Sequence, residues 1–271
     1  MEGSNEPPGK GRGGFVGGLG ELDRILRGEL TQVSSLQRGG IAVSPGRLSL
    51  IIVVLGMVFG VCMGTFALFR VNKPHAWQIV ASMVKVPLLF YLTLLVTLPS
   101  LYVFNALVGS RLTLATVVRL LIASLGVMVA VLASLGPIVA FFSVSTTSYP
   151  FMLLFNVVVC SISGGLGLLF LMQTLHRLSV LDSRPPAAQN TEGGDVTEPV
   201  GPLDSLENRV LGKHVKTVFQ LWVIVFALVG AQMGWVLRPF IGNPDLPFVW
   251  FRGRESNFFQ AVVRTFQSLF S

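Results

Sequence analysis

The chain has 271 residues, 52% of them hydrophobic and only 12% charged, with a mean hydropathy of +0.70 and a formal charge of +7. That balance excludes an ordinary soluble domain and predicts an all-α polytopic membrane bundle. The basic excess does not indicate nucleic acid, because the 20 Lys and Arg residues are scattered between apolar runs rather than gathered on one soluble face.

Residues 1–20 are rich in Gly and Pro and lack the short apolar core of a cleavable signal, so a flexible tail is expected. Residues 21–47 read as an amphipathic helix and linker. Leu22, Ile25, Leu26, Leu30 and Val33 share one side, Gly28 weakens the helix, and the pattern leaves open a place on the bilayer surface or one docked on the bundle. The first span, Leu48–Phe69, carries no charge and is long enough for a hydrocarbon core of about 30 Å. Gly56, Gly60 and Gly64 recur in it every fourth residue, which aligns them as a face that another helix can approach closely.

Spans one to four are expected within 48–178. The second covers 78–108, with the crossing from Val86 and Lys85 snorkelling outward to the interface. Pro99 in this span and Pro137 in the third, 112–142, are expected to kink their helices. Arg119 lies two turns into the third span, as a snorkelling cation or a contact for anionic lipid. The fourth, 151–175, holds Ser161 and Gly165 as a small face, while Asn156 and Gln173 read as interhelical hydrogen-bonding amides.

Residues 179–212 turn abruptly polar, with Pro185, Pro186, Gly193, Gly194 and several acids, and are expected to form a disordered cytoplasmic loop. The fifth span occupies 213–238. Its Gly230 and Gly234 repeat the four-residue spacing and are the best candidates to pack against the first span, and Arg238 with Pro239 ends it. In the tail, 239–271, the residues Phe258, Phe259, Val262, Val263, Phe266 and Phe270 make one apolar helix face, suited to the membrane surface.

With five spans, one side receives Lys10, Arg12, Arg24, Arg27, Arg38, Arg47, Arg111, Arg177, Arg184, Arg209, Lys213 and Lys216. The other receives Arg70, Lys73, Arg238, Arg252, Arg254 and Arg264. The excess on the first side predicts a cytoplasmic N-terminus and a C-terminal tail outside.

The spans contain no Asp or Glu, so proton-relay chemistry lacks its usual carrier. His75, His176 and His214 sit at loop edges without metal-ligand spacing, and Cys62 and Cys160 read as small apolar residues within spans. Ser161 and Ser163 beside Gly164 and Gly165 have no histidine in a later span to act as base. No phosphate-binding or dinucleotide motif is present. No catalytic residue, metal or cofactor is therefore predicted.

The amphipathic N-terminal stretch, five spans and short outer tail resemble the Yip1 family of small membrane proteins over residues 20–240. The nearest local likeness lies in KVPLLFYLTLLVTLPSLYVFNALVG (Lys85–Gly109) and ASLGPIVAFFSVSTTSYPFMLLFN (Ala133–Asn156), which look like bacterial proteins carrying that domain. The DLYGP-type motif of eukaryotic members is missing, and no functional residue transfers. The resemblance implies a non-enzymatic protein of the bacterial inner membrane. Its expected role is that of a scaffold or accessory subunit acting through lipids, other membrane proteins or self-association. Lys85, Arg119 and Arg238 are candidate lipid or partner contacts. The alternative is a transporter or channel component for a small or anionic solute, with Lys85, Arg119, Asn105 and Gln232 lining a polar path.

Overall fold

A computed structural model describes residues 14–29, 44–70, 76–107, 114–182, 220–242, 248–251, 253 and 256–270. Among them are seven helices and no strand: α1 (Gly14–Leu26), α2 (Pro45–Arg70), α3 (Ala76–Leu107), α4 (Leu114–Ser145), α5 (Tyr149–Asp182), α6 (Gln220–Val236) and α7 (Phe258–Phe270). Helices α2 to α5 are each long and apolar enough to cross a membrane, the mark of an integral membrane protein. Helix α6 is apolar but has only 17 residues, roughly 25 Å at the helical rise.

Helix α2 is the hub. Leu48, Ile51, Ile52, Phe59 and Phe66 are all buried, and α2 packs against α1, α3 and α4. Its three glycines lie against α3. A Cβ built on Gly56 would stand 3.4 Å from Pro87, one on Gly60 2.5 Å from the Ser82 carbonyl oxygen, and one on Gly64 2.8 Å from the Ile79 Cα. The partners ascend as the glycines descend, so α2 and α3 are antiparallel. Where lipid tails are as apolar as leucine, such backbone approach supplies the dispersion contacts that hold helices together.

Helix α4 runs parallel to α2, since Gly126 meets Leu48 and Gly136 meets Cys62. Helix α5 returns beside α4 with Gly167 against Met128 and the Ser124 carbonyl. Both α3 and α4 continue as helix through Pro99 and Pro137.

Helix α1 begins at Gly14, inside the expected tail, and ends at Leu26, before Leu30 and Val33 of the expected apolar face. Gly28 ends it. Its φ of 74° is a left-handed conformation suited to glycine, and its N–H donates to the Ile25 carbonyl at 3.0 Å. Of the two placements left open, α1 takes the docked one. Leu22 and Ile25 are buried, and Gly18 lies so close that an added Cβ would sit 2.8 Å from the Arg47 carbonyl oxygen. Glu21 fastens the contact by accepting from the Ser44 hydroxyl at 3.0 Å and pairing with Arg47 at 2.6 Å. On the outer side of α1, the Asp23 carboxylate accepts from Arg27 at 2.9 Å and raises the pKa of that guanidinium.

Helix α6 lies on α3. Trp222, almost fully buried, directs its indole N–H to the Thr97 carbonyl at 3.5 Å, and a Cβ on Gly230 would meet the Thr93 methyl at the same distance. This corrects the expected pairing of Gly230 and Gly234 with the first span: Gly230 faces α3, and Gly234 has nothing within 4 Å. Residues 183–219, which include most of the expected cytoplasmic loop and His214, lie outside the described residues.

Candidate functional site

Six side chains with chemistry fall on one stripe of α3, while Ser124, Ser143, Asn156, Ser163 and Thr174 are buried on α4 and α5. Gln78, Ser82, Lys85, Thr93, Thr97 and Ser100 follow helical spacing, and the first five are at least 97% buried. Thr93 and Thr97 donate to the carbonyls of Leu89 and Thr93, at 2.7 and 2.8 Å, so their hydroxyls are satisfied within the helix. The upper three reach a different part of the chain.

Helix α6 stops at Val236, and residues 238–242 continue along α3 without helical structure. Their carbonyls need donors, because exposed backbone has no water to bond within a bilayer. Gln78 Nε2 donates to the carbonyls of Pro239 and Phe240 at 3.2 and 3.0 Å. Ser82 Oγ reaches its own-helix Gln78 carbonyl at 2.8 Å and also the Phe240 carbonyl. Lys85 Nζ donates to Pro239 O at 3.1 Å and to Trp250 O, and stands 5.0 Å from the centre of the Phe251 ring. One ammonium thus ties together two segments 11 residues apart.

The strap fits closely. Gly242 has a φ of 78°, and an added Cβ there would lie 2.9 Å from the Ala67 Cβ and 3.0 Å from Gln78. Below it, Arg238 lies 3.6 Å over the Trp235 ring and donates to the Gly253 carbonyl, while the Trp235 indole donates to the Ser256 carbonyl. The described residues between 235 and 256 are therefore held by five side chains: Gln78, Ser82 and Lys85 from α3, Trp235 from α6, and Arg238 just after it.

Lys85 does not snorkel outward as expected. Its side chain turns inward, at 2% exposure. Trp77, 65% exposed, is a fitting interface residue, and Lys85 lies two helical turns deeper, roughly 12 Å. No carboxylate pairs with it among the described residues. Two carbonyl oxygens and an aromatic face replace the hydration that a buried cation would otherwise lose. The nearby C-terminal end of α6 adds the negative end of its dipole.

The other expected contacts lie apart. Arg119 is exposed near the start of α4. The antiparallel register of α2 with α3 and the parallel register with α4 put it roughly 20 Å from Lys85 along the bundle. Gln232 is half-buried on α6, and the side chain of Asn105 lies outside the described residues. Lys85 and Arg119 therefore do not line one path. A small cavity among Leu94, Leu121, Ser124, Gly164, Gly167 and Trp222 has room for about 10 Å³, near the volume needed by a single water. Cys62 and Cys160 are free thiols, and no group of three metal-ligating side chains occurs among the described residues.

No protein-family model matches the chain, and neither a curated protein nor a solved structure matches it.

The stripe could have been found in the sequence, since Gln78, Ser82 and Lys85 stand at i, i+4 and i+7 in an apolar run. What the sequence did not reveal is its occupant, a carbonyl-bearing strap about 160 residues farther along the chain.

Proposed function

We propose that the protein is a non-enzymatic scaffold or accessory subunit of a bacterial inner membrane, with five crossings and a Yip1-like arrangement. In this reading α6 is the core of the fifth crossing, and the strap on α3 completes it. The basic residues favour a cytoplasmic N-terminus, which puts α7 on the outer side.

The observation that carries this reading is the use made of the buried polar stripe. Gln78, Ser82 and Lys85 all donate to backbone carbonyls of the strap, so these three polar groups of α3 serve internal architecture. The close glycine seams of α2 support a bundle held rigidly together, and the apolar residues exposed on α1 and α7 are surfaces through which it engages lipid or neighbouring proteins. Arg119 and Arg238 remain candidate contacts for lipid headgroups or partners.

The second reading, a transport component, is favoured by Lys85 itself. A cation beside non-helical backbone at membrane depth is an arrangement that transporters use for anionic solutes. Gentle detergent extraction from the native membrane, with quantitative mass spectrometry of proteins and lipids, separates the two. The scaffold reading expects a protein partner at fixed stoichiometry. It fails if the protein is recovered alone and, in proteoliposomes, carries an anion flux that Lys85→Met abolishes.

A further inference from the structure

Helix α7 turns part of its apolar surface away from the protein, with Phe258 and Val262 half-buried. It packs on α5, and its buried position is Ala261, at 8% exposure. Phe259, Val263 and Phe266 stand 47%, 55% and 54% exposed. At 100° per residue these three fall within a sector of about 60°, while Ala261 lies about 160° from Phe259. Gln260 and Arg264 fall in the remaining sector, about 100° and 140° from Phe259. The helix thus has a protein side, an apolar side and a polar side.

A second apolar element stands at the same end of the bundle. Trp250 and Phe251 are exposed, yet the Trp250 backbone is fixed by Lys85 and the Phe251 ring lies over the same ammonium. The Trp235 bond to Ser256 starts α7 beside the end of α6. Helix α5, on which α7 rests, itself exposes Val158 and Ile162 along its span-length apolar run.

We propose that α7 and the Trp250–Phe251 turn form a lipid-inserting wedge in the leaflet at the end of the bundle where α2 finishes. Phe259, Val263 and Phe266 lie beneath the headgroups, with Gln260 and Arg264 toward water. A bilayer is the occupant because the wedge continues the lipid-facing surface of α5. The helix carries one charge, Arg264, placed off the apolar sector, and no acid that a membrane surface would repel. A second protein copy is a poorer fit: the four exposed apolar side chains Phe259, Val263, Phe266 and Leu269 on a 13-residue helix fall short of the roughly 800 Å² per partner of a standard interface. The proposal rests on the reading of the bundle as membrane-spanning.

The test uses the full chain carrying Cys62→Ala and Cys160→Ala in vesicles of phosphatidylethanolamine and phosphatidylglycerol. Nitroxide labels are placed singly through Val263→Cys, Phe266→Cys, Gln260→Cys and, on α5, Ile162→Cys. Electron paramagnetic resonance compares collision with oxygen, which partitions into lipid, against a water-soluble nickel complex. The wedge predicts that labels at 263 and 266 favour oxygen at a depth of roughly 5–10 Å below the phosphates, while the label at 260 favours nickel. Nickel-accessible labels at 263 and 266 overturn it, as do labels shielded from both reagents, which would mean a protein covering. The label at 162 separates the two failures. If it reports lipid while 263 and 266 do not, the wedge alone is wrong; if it reports water, the membrane-spanning reading falls with it.

Discussion

Gly60 is the position where a single methyl group should do the most damage. A Cβ there would lie 2.5 Å from the Ser82 carbonyl oxygen and 2.8 Å from the Met83 Cα, both backbone atoms that cannot rotate aside. Restoring an ordinary contact of 3.4 Å requires α2 and α3 to part by about 0.9 Å. A gap of that size forfeits a quarter to a half of each dispersion contact across the seam, and overpacking of this kind costs about 1–3 kcal/mol. Replacing glycine by alanine within a helix returns about 1 kcal/mol, so Gly60→Ala should lose up to about 2 kcal/mol net. Gly56→Ala supplies the internal control, because its Cβ would meet Pro87 at 3.4 Å and the propensity gain leaves it neutral or slightly stabilised. Gly234→Ala, with nothing within 4 Å, should behave likewise. Unfolding of the purified protein in mixed micelles with increasing sodium dodecyl sulfate measures all three. If Gly60→Ala unfolds at the same point as Gly56→Ala, the α2–α3 register described above is wrong.

Two other predictions concern the strap and the helix that precedes it. Lys85→Met keeps the apolar stem but removes the donor from the Pro239 and Trp250 carbonyls, which should loosen the strap by about 1–3 kcal/mol. With the buried strap residue Ile241→Cys as reporter, thiol labelling should accelerate by roughly tenfold for each 1.4 kcal/mol lost, and an unchanged rate would show that Lys85 does not hold this segment. The docking of α6 is tested by Thr93→Cys with Gly230→Cys. A Cβ at 230 would lie 3.5 Å from the Thr93 methyl, close enough for a disulfide to form under mild oxidation, whereas Gly56→Cys with Gly230→Cys should not cross-link. Cross-linking of the second pair instead would restore the expected packing of the fifth span on the first.

The strap also shows why the polar residues misled when taken one at a time. Lys85 in isolation reads as a cation that must reach water, since burying an ammonium without partners is prohibitive. Two backbone carbonyls and the Phe251 ring change that balance, and none of the three has a sequence signature. Arg119, with the same charge in a similar apolar run, stays exposed. The glycine repeats divided in the same way. Gly56, Gly60 and Gly64 lie in a close seam with α3, while the same spacing in α6 leaves Gly234 open.

Composition and the long apolar runs determined by themselves that this is a helical membrane protein, because a bilayer demands uninterrupted stretches of that length whatever they pack against. The glycine register and the apolar face of α7 were legible for a similar reason, since a 3.6-residue period is a local property of the chain. Which helix each face meets depends on contacts between distant segments, and only the tertiary structure decided it. It placed α1 against α2 through Gly18 and Glu21 and against α4 through Leu22, and α6 on α3 through Trp222. It also turned part of the apolar face of α7 outward and brought Lys85 to carbonyls more than 150 residues away.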